Sequence, residues 1–140
     1  MKELWHGRVT GPIMRIYGPL AIPVDRATVD AAALKRSLRA LAGGALLIVF
    51  PEGGISPDGR LRPFHRGAAM LAARAGAPII PVAIQGTAEA LPLGRVVPRM
   101  RPITIRVGAP IAPPSPERDA LLRAGDAAAV QIASLRAQTG

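Results

Sequence analysis

Residues 45–56 read Ala45-Leu46-Leu47-Ile48-Val49-Phe50-Pro51-Glu52-Gly53-Gly54-Ile55-Ser56, and the break after Phe50 decides what kind of fold the chain builds. The apolar run 45–50 has no polar face, which suits a strand covered on both sides in the middle of a sheet. A proline, a carboxylate and two glycines then end it abruptly. Adjacent glycines leave peptide N–H groups unshielded by side chains, a geometry able to cradle an anionic oxygen. Arg60, Arg62 and Arg66 follow within a short reach.

Three more β-type runs flank this one: residues 20–24 (LAIPV), 78–84 (PIIPVAI) and 103–107 (ITIRV). The run 78–84 is apolar on both faces, whereas 103–107 alternates and suits an edge strand. Pro23 and Pro81 cannot donate to a ladder, so each is expected at a bulge or strand end. Helices separate the runs. Thr28 is placed to cap one in which Leu34, Leu38 and Leu41 recur on one face, with Lys35, Arg36 and Arg39 turned outward and Gly43-Gly44 as its stop. Residues 67–75 (GAAMLAARA) form a second, ended by Gly76. Ser115-Pro116-Glu117 offers a capping oxygen, a first-turn proline and an acid for a third, running to about Gln138.

Alternating strands and helices predict an α/β fold with a mixed, largely parallel sheet flanked by helices. Residues 1–114 are expected to form one domain and 115–140 a C-terminal helix, with 109–114 (APIAPP) as the linker. Asp25-Arg26, Pro51-Glu52-Gly53-Gly54 and Gln85-Gly86-Thr87 each follow a strand, and ligands bind open α/β sheets outside the carboxyl ends of their strands. The three turns are therefore expected to share one crevice, with Arg26 and Glu52 near each other in it.

Lys+Arg total 18 against 9 Asp+Glu, a formal net charge of +9, so the chain should attract anions. The arginines are scattered singly and aromatic residues make up only 3%, which disfavours nucleic acid and leaves phosphorylated small molecules or an anionic membrane surface. The absence of Cys removes thiol nucleophiles and Cys-based zinc sites, and His6 and His65 are too few for a three-histidine metal centre. The longest apolar stretch, residues 40–50, is far short of the roughly 18–20 residues that cross a bilayer. The first residues lack a signal-peptide pattern, so a cytoplasmic location is expected. Hydrolase-elbow, P-loop and dinucleotide-binding glycine motifs are absent.

Residues 50–56 (FPEGGIS) resemble the F-P-E-G-T-x-S block of the glycerolipid acyltransferases, the group of 1-acylglycerol-3-phosphate acyltransferases. Further blocks agree in order and spacing. Residues 18–26 (GPLAIPVDR) resemble the block that ends in Val-Asp-Arg, Phe64-His65-Arg66-Gly67 the basic segment after the F-P-E-G loop, and residues 80–84 (IPVAI) the fourth block. Lys2-Glu3-Leu4 resembles the stretch ahead of the second block.

The resemblance implies acyl transfer from an acyl-CoA or acyl-carrier-protein thioester to a hydroxyl of a lysophospholipid or glycerol phosphate in phospholipid biosynthesis. It implies no metal or other cofactor, and a peripheral position at the inner face of the membrane. Arg26 matches the family's phosphate-binding arginine and Glu52 its acceptor-site carboxylate; Gly53 and Gly54 supply loop backbone, and Arg66 assists anion binding. The blander alternatives are an Arg26 pair with Asp25 or Glu52, a Glu52 that merely balances nearby arginines, and a solvated Arg66. His65 reads as a loop residue rather than a base.

Gly54 and Ile55 depart from the family pattern, which often has Thr and Arg there, leaving Arg60 and Arg62 as the nearest replacements. The family's base is a His-x4-Asp block, yet five residues after His6 comes Gly11 and five after His65 comes Met70. That block lies upstream of the Lys-x-Glu-Leu stretch, so the chain reads as an N-terminally truncated family domain without its first strand and catalytic helix. No catalytic residue is expected within it, and it is expected to be inactive as written. Apolar sheet surface left uncovered should favour self-association. The alternative is a non-catalytic remnant that binds lipid phosphate or an anionic membrane surface.

Overall fold

The computed structural model describes residues 31–54, 56, 60–92, 94–95 and 97–138, and the expected strand at 20–24, the Thr28 cap and Arg26 lie outside them. The described elements are α1 (Ala31–Ala42), α2 (Gly67–Ala75), β1 (Val82–Gln85), α3 (Thr87–Ala90), β2 (Thr104–Val107) and α4 (Arg118–Ala137). They fall in two compact units, residues 1–47 and 48–140.

In the first unit, α1 stops where the two glycines predict. Gly43 N donates to Arg39 O at 3.0 Å and Ala45 N to Ala40 O at 3.0 Å, while Gly44 takes φ +80, a conformation cheap only for glycine. Lys35, Arg36 and Arg39 are exposed as expected. The most buried positions, however, are Ala33 and Ser37, with Leu34, Leu38 and Leu41 only half-buried. The inward face is thus centred one residue earlier than the leucine spacing suggests.

The second unit is α/β, with helices packed on a small sheet. β1 and β2 pair antiparallel, Val82 opposite Val107 and Gln85 opposite Thr104. α4 packs against both strands and against α2. Among the described residues the sheet has two strands and is antiparallel, one antiparallel pairing within the mixed sheet expected. A parallel return needs a long crossover, generally a helix lying across the sheet. Among the described residues between β1 and β2 the helix is the four-residue α3.

Pro81 sits just outside β1, and beyond it Ile79 and Ile111 exchange hydrogen bonds of 2.9 and 2.8 Å. Two residues, 80–81, thus face three, 108–110, so Pro81 lies at a bulge as expected. Gly108 N donates to the Pro81 carbonyl at 2.8 Å.

The run 45–50 is the main departure. It is not a strand, and Leu46, Ile48 and Phe50 are 78%, 73% and 71% exposed. The boundary between the two units falls inside it, after Leu47. A strand exists only where a neighbour accepts its ladder bonds, and no described strand pairs with these residues. The run 78–84 is likewise half-buried rather than buried on both faces. Ala83, 2% exposed, is turned inward, while Val82 and Ile84 share the open face with Ile105 and Val107.

α2 matches its expected bounds, with Gly76 at φ +61 donating to Ala72 O and Ala73 O. α4 starts at Arg118, with Glu117 as the flanking residue and no side-chain cap, so Ser115 is not the cap that the sequence offers. The buried side chains of α2 and α4 are Ala69, Ala72, Ala124 and Ala128. Alanines let two helices approach closely but bury little apolar area each. Ala72→Leu should therefore overpack this contact and cost about 1–3 kcal/mol, read as a lower urea midpoint; an unchanged midpoint would show that the alanine contact is loose.

Candidate functional site

The second unit begins just ahead of the Pro51-Glu52-Gly53-Gly54 turn, which three hydrogen bonds close. Gly53 N donates to Phe50 O at 3.2 Å, His65 N to Pro51 O at 2.8 Å, and Arg62 N to a Glu52 carboxylate oxygen, Oε2, at 2.9 Å. The turn is thereby tied across the loop to residues 62–65, immediately before α2.

Gly53 is required for two reasons. Its φ is +65, and a Cβ there would lie 2.8 Å from His65 Cδ2 and 3.0 Å from Nε2. The imidazole thus lies edge-on against the glycine, a contact that the sequence does not signal. The Gly53 N–H closes the turn itself, so this glycine contributes shape rather than a donor for an anion. Gly54 and Glu52 are half-buried beside it.

Glu52 is held by a backbone amide. One carboxylate oxygen braces the loop through the Arg62 N–H rather than through a guanidinium. Arg62, His65 and Arg66 are exposed. Arg66 is the residue flanking the start of α2 and makes no side-chain cap. Its guanidinium therefore stands on the same short stretch as the brace, where like-signed Arg60 and Arg62 also lie.

Gln85 takes a different part from the one its turn suggests. Its side-chain oxygen accepts from Arg106 Nη1 at 2.5 Å, and its Nε2 donates to Arg136 O at 3.1 Å. The amide ties β1 to β2 and to the end of α4, a structural duty that no local pattern announces. Because 45–50 is not a sheet strand, the expected crevice at three strand ends loses its second strand, and its first lies outside the described residues along with Arg26. Among the described residues no group of three or more His, Cys, Asp or Glu side chains is arranged to hold a metal.

A family model described as Acyltransferase matches residues 1–85, more than half of the chain. The chain belongs to the Acyltransferase family. Within it, the chain is 41% identical over 88 residues to a chloroplastic 1-acyl-sn-glycerol-3-phosphate acyltransferase of Brassica napus, covering 61% of this chain and 25% of that protein. It is 32% identical over 83 residues to a 1-acyl-sn-glycerol-3-phosphate acyltransferase of Pseudomonas aeruginosa, covering 59% of this chain and 32% of the relative. The crystal structure of the 1-acyl-sn-glycerophosphate (LPA) acyltransferase PlsC from Thermotoga maritima superposes with a TM-score of 0.70 at 26% identity, covering 99% of this chain and 56% of that one. The chain thus spans about a quarter to a third of these curated acyltransferase relatives and just over half of the solved one.

Proposed function

We propose that this acyltransferase chain binds the phosphate of a lysophospholipid or glycerol phosphate acceptor, for acyl transfer from an acyl-CoA or acyl-carrier-protein thioester. The observation that carries the reading is the F-P-E-G turn, braced by the Glu52–Arg62 hydrogen bond and set beside a basic stretch. In the reaction the acceptor hydroxyl oxygen attacks the thioester carbonyl, the C–S bond breaks, and the hydroxyl proton must pass to a base. By the resemblance that base is expected in a His-x4-Asp block, and no histidine of the 140 residues is followed five positions later by Asp. The residues at hand therefore serve binding and positioning: the resemblance gives Arg26 the phosphate, and within the second unit Arg66 assists anion binding beside the Glu52 turn. We assign no turnover to the 140 residues alone.

Titration calorimetry with glycerol 3-phosphate and with lysophosphatidate tests this. Arg26→Ala should weaken binding by about 10–100-fold, the worth of a charge-assisted, bidentate contact, with the unfolding midpoint unchanged. Glu52→Gln retains an oxygen for the Arg62 N–H, whereas Glu52→Ala removes it, so the alanine variant should bind more weakly than the glutamine one. An Arg26→Ala protein that binds as tightly as the parent defeats the assignment.

A further inference from the structure

The segment between α3 and β2 leaves the sheet as a tethered excursion. Arg99 N donates to Ala90 O at 2.7 Å and Arg95 N to Pro92 O at 3.1 Å, which brings Arg99 back to the end of α3. The segment's far end is pressed onto the turn after β1, where a Cβ on Gly86 would lie 2.2 Å from the Pro102 carbonyl oxygen. The loop is therefore presented by the fold from fixed ends.

What it presents is amphiphilic. Met100 and Val97 are 103% and 77% exposed, and Leu91 and Ile103 are exposed beside them. Arg95, Arg99 and Arg101 alternate with these side chains and are exposed too. Residues 91–107 contain four arginines and neither Asp nor Glu; the nearby acid is Glu89, which lines the same shallow groove as Arg99 and Arg101. Nucleic acid fits poorly, since this segment has no aromatic ring for bases to stack on. A second copy fits poorly as well, because two such loops would set arginine against arginine. An anionic bilayer satisfies both halves of the pattern, with phosphates for the guanidinium groups and hydrocarbon for the apolar side chains.

We propose that Val97 and Met100 enter the headgroup–acyl boundary of an anionic bilayer while Arg95, Arg99 and Arg101 bind its phosphates, so that these residues form a membrane-docking surface. The loop lies beyond residues 1–85, where the family model matches. No helix among the described residues is long and apolar enough to cross a membrane. The proposal rests on the lipid-substrate reading for its setting; vesicle binding is measured with no thioester present, so the two readings fail separately.

The test is co-sedimentation of the 140-residue chain with phosphatidylcholine vesicles, with and without phosphatidylglycerol. Binding should need the anionic lipid and fade as salt rises. Replacing Arg95, Arg99 and Arg101 together by Gln should weaken it on the order of 100-fold, since each basic residue near such a surface is worth about fivefold. The same change at Arg74, Arg118 and Arg123, exposed on α2 and α4, removes equal charge and should cost less than about tenfold. Met100→Asp should weaken binding at low salt by about tenfold or more, with Val97→Ser giving the same readout should the aspartate disturb folding. The proposal is overturned if the parent ignores anionic vesicles, if the helix and loop triple variants weaken alike, or if Met100→Asp and Val97→Ser both bind as the parent does. It is equally overturned if the loop variants change only the oligomeric state, which would make the loop an interface between copies.

Discussion

Thioester release by the 140-residue chain with lysophosphatidate is expected to stay at the uncatalysed rate, and to rise by ~10²–10⁴-fold when a segment bearing His-x4-Asp is fused ahead of Lys2-Glu3-Leu4. A lysophospholipid hydroxyl is a poor nucleophile at neutral pH, and that factor is what a positioned base typically supplies. Within the chain the candidates are poor substitutes. His65 has Met70 where the family pattern places its orienting aspartate, and its ring lies against Gly53 on an exposed loop. One Glu52 oxygen already accepts from the Arg62 N–H, which commits that carboxylate to bracing the loop. Robust turnover by the unextended chain, lost in His65→Ala, would relocate the base to the F-H-R-G segment. A fusion that binds acceptor phosphate yet leaves release at background would favour the non-catalytic lipid-phosphate binding reading.

The second large effect concerns Gly86. With φ +87 and a would-be Cβ 2.2 Å from Pro102 O, Gly86→Ala combines left-handed strain with a clash against backbone that has no rotamer to move. The strain costs roughly 1–2 kcal/mol and the overpacking a similar amount, so about 3 kcal/mol is expected in all. That is a large share of an ordinary domain's stability. Gly76→Ala is the matched control, because φ is +61 there and a Cβ would meet nothing within 4 Å. It should cost about 1 kcal/mol. Urea denaturation of both variants separates the two contributions; equal losses would mean that Pro102 yields freely.

Much of the local structure was legible in the residues. Gly43-Gly44 and Gly76 stop their helices because the left-handed cap is a demand on one residue, and residues 67–75 need only their own short-range spacing to form a turn-by-turn ladder. Pro81 marks its bulge because a missing N–H is a local fact. The same kind of reading failed at Ser115, where the helix begins later than the capping pattern offers. It failed again at 45–50, where hydrophobicity predicts burial but burial needs a neighbour. As for the candidate site, Glu52, Gly53, Gly54 and Arg66 were legible as a motif, while the brace from the Arg62 amide and the His65 ring on Gly53 were not. Those contacts depend on the path of a loop, and a backbone N–H carries no residue identity that a pattern could display.

By itself the sequence determined the chain's family blocks, its basic charge, its helix stops and the place of its bulge, all of which depend on residue type at short spacing. Tertiary structure alone decided that β1 and β2 run antiparallel, that Gln85 ties β1 to Arg106 and the end of α4, and that the 91–103 loop turns Met100 and its arginines outward. The physical reason is the same in each case. A ladder partner, an amide's acceptor and a side chain's exposure are set by residues tens of positions away, and only the folded path of the chain brings them together or holds them apart.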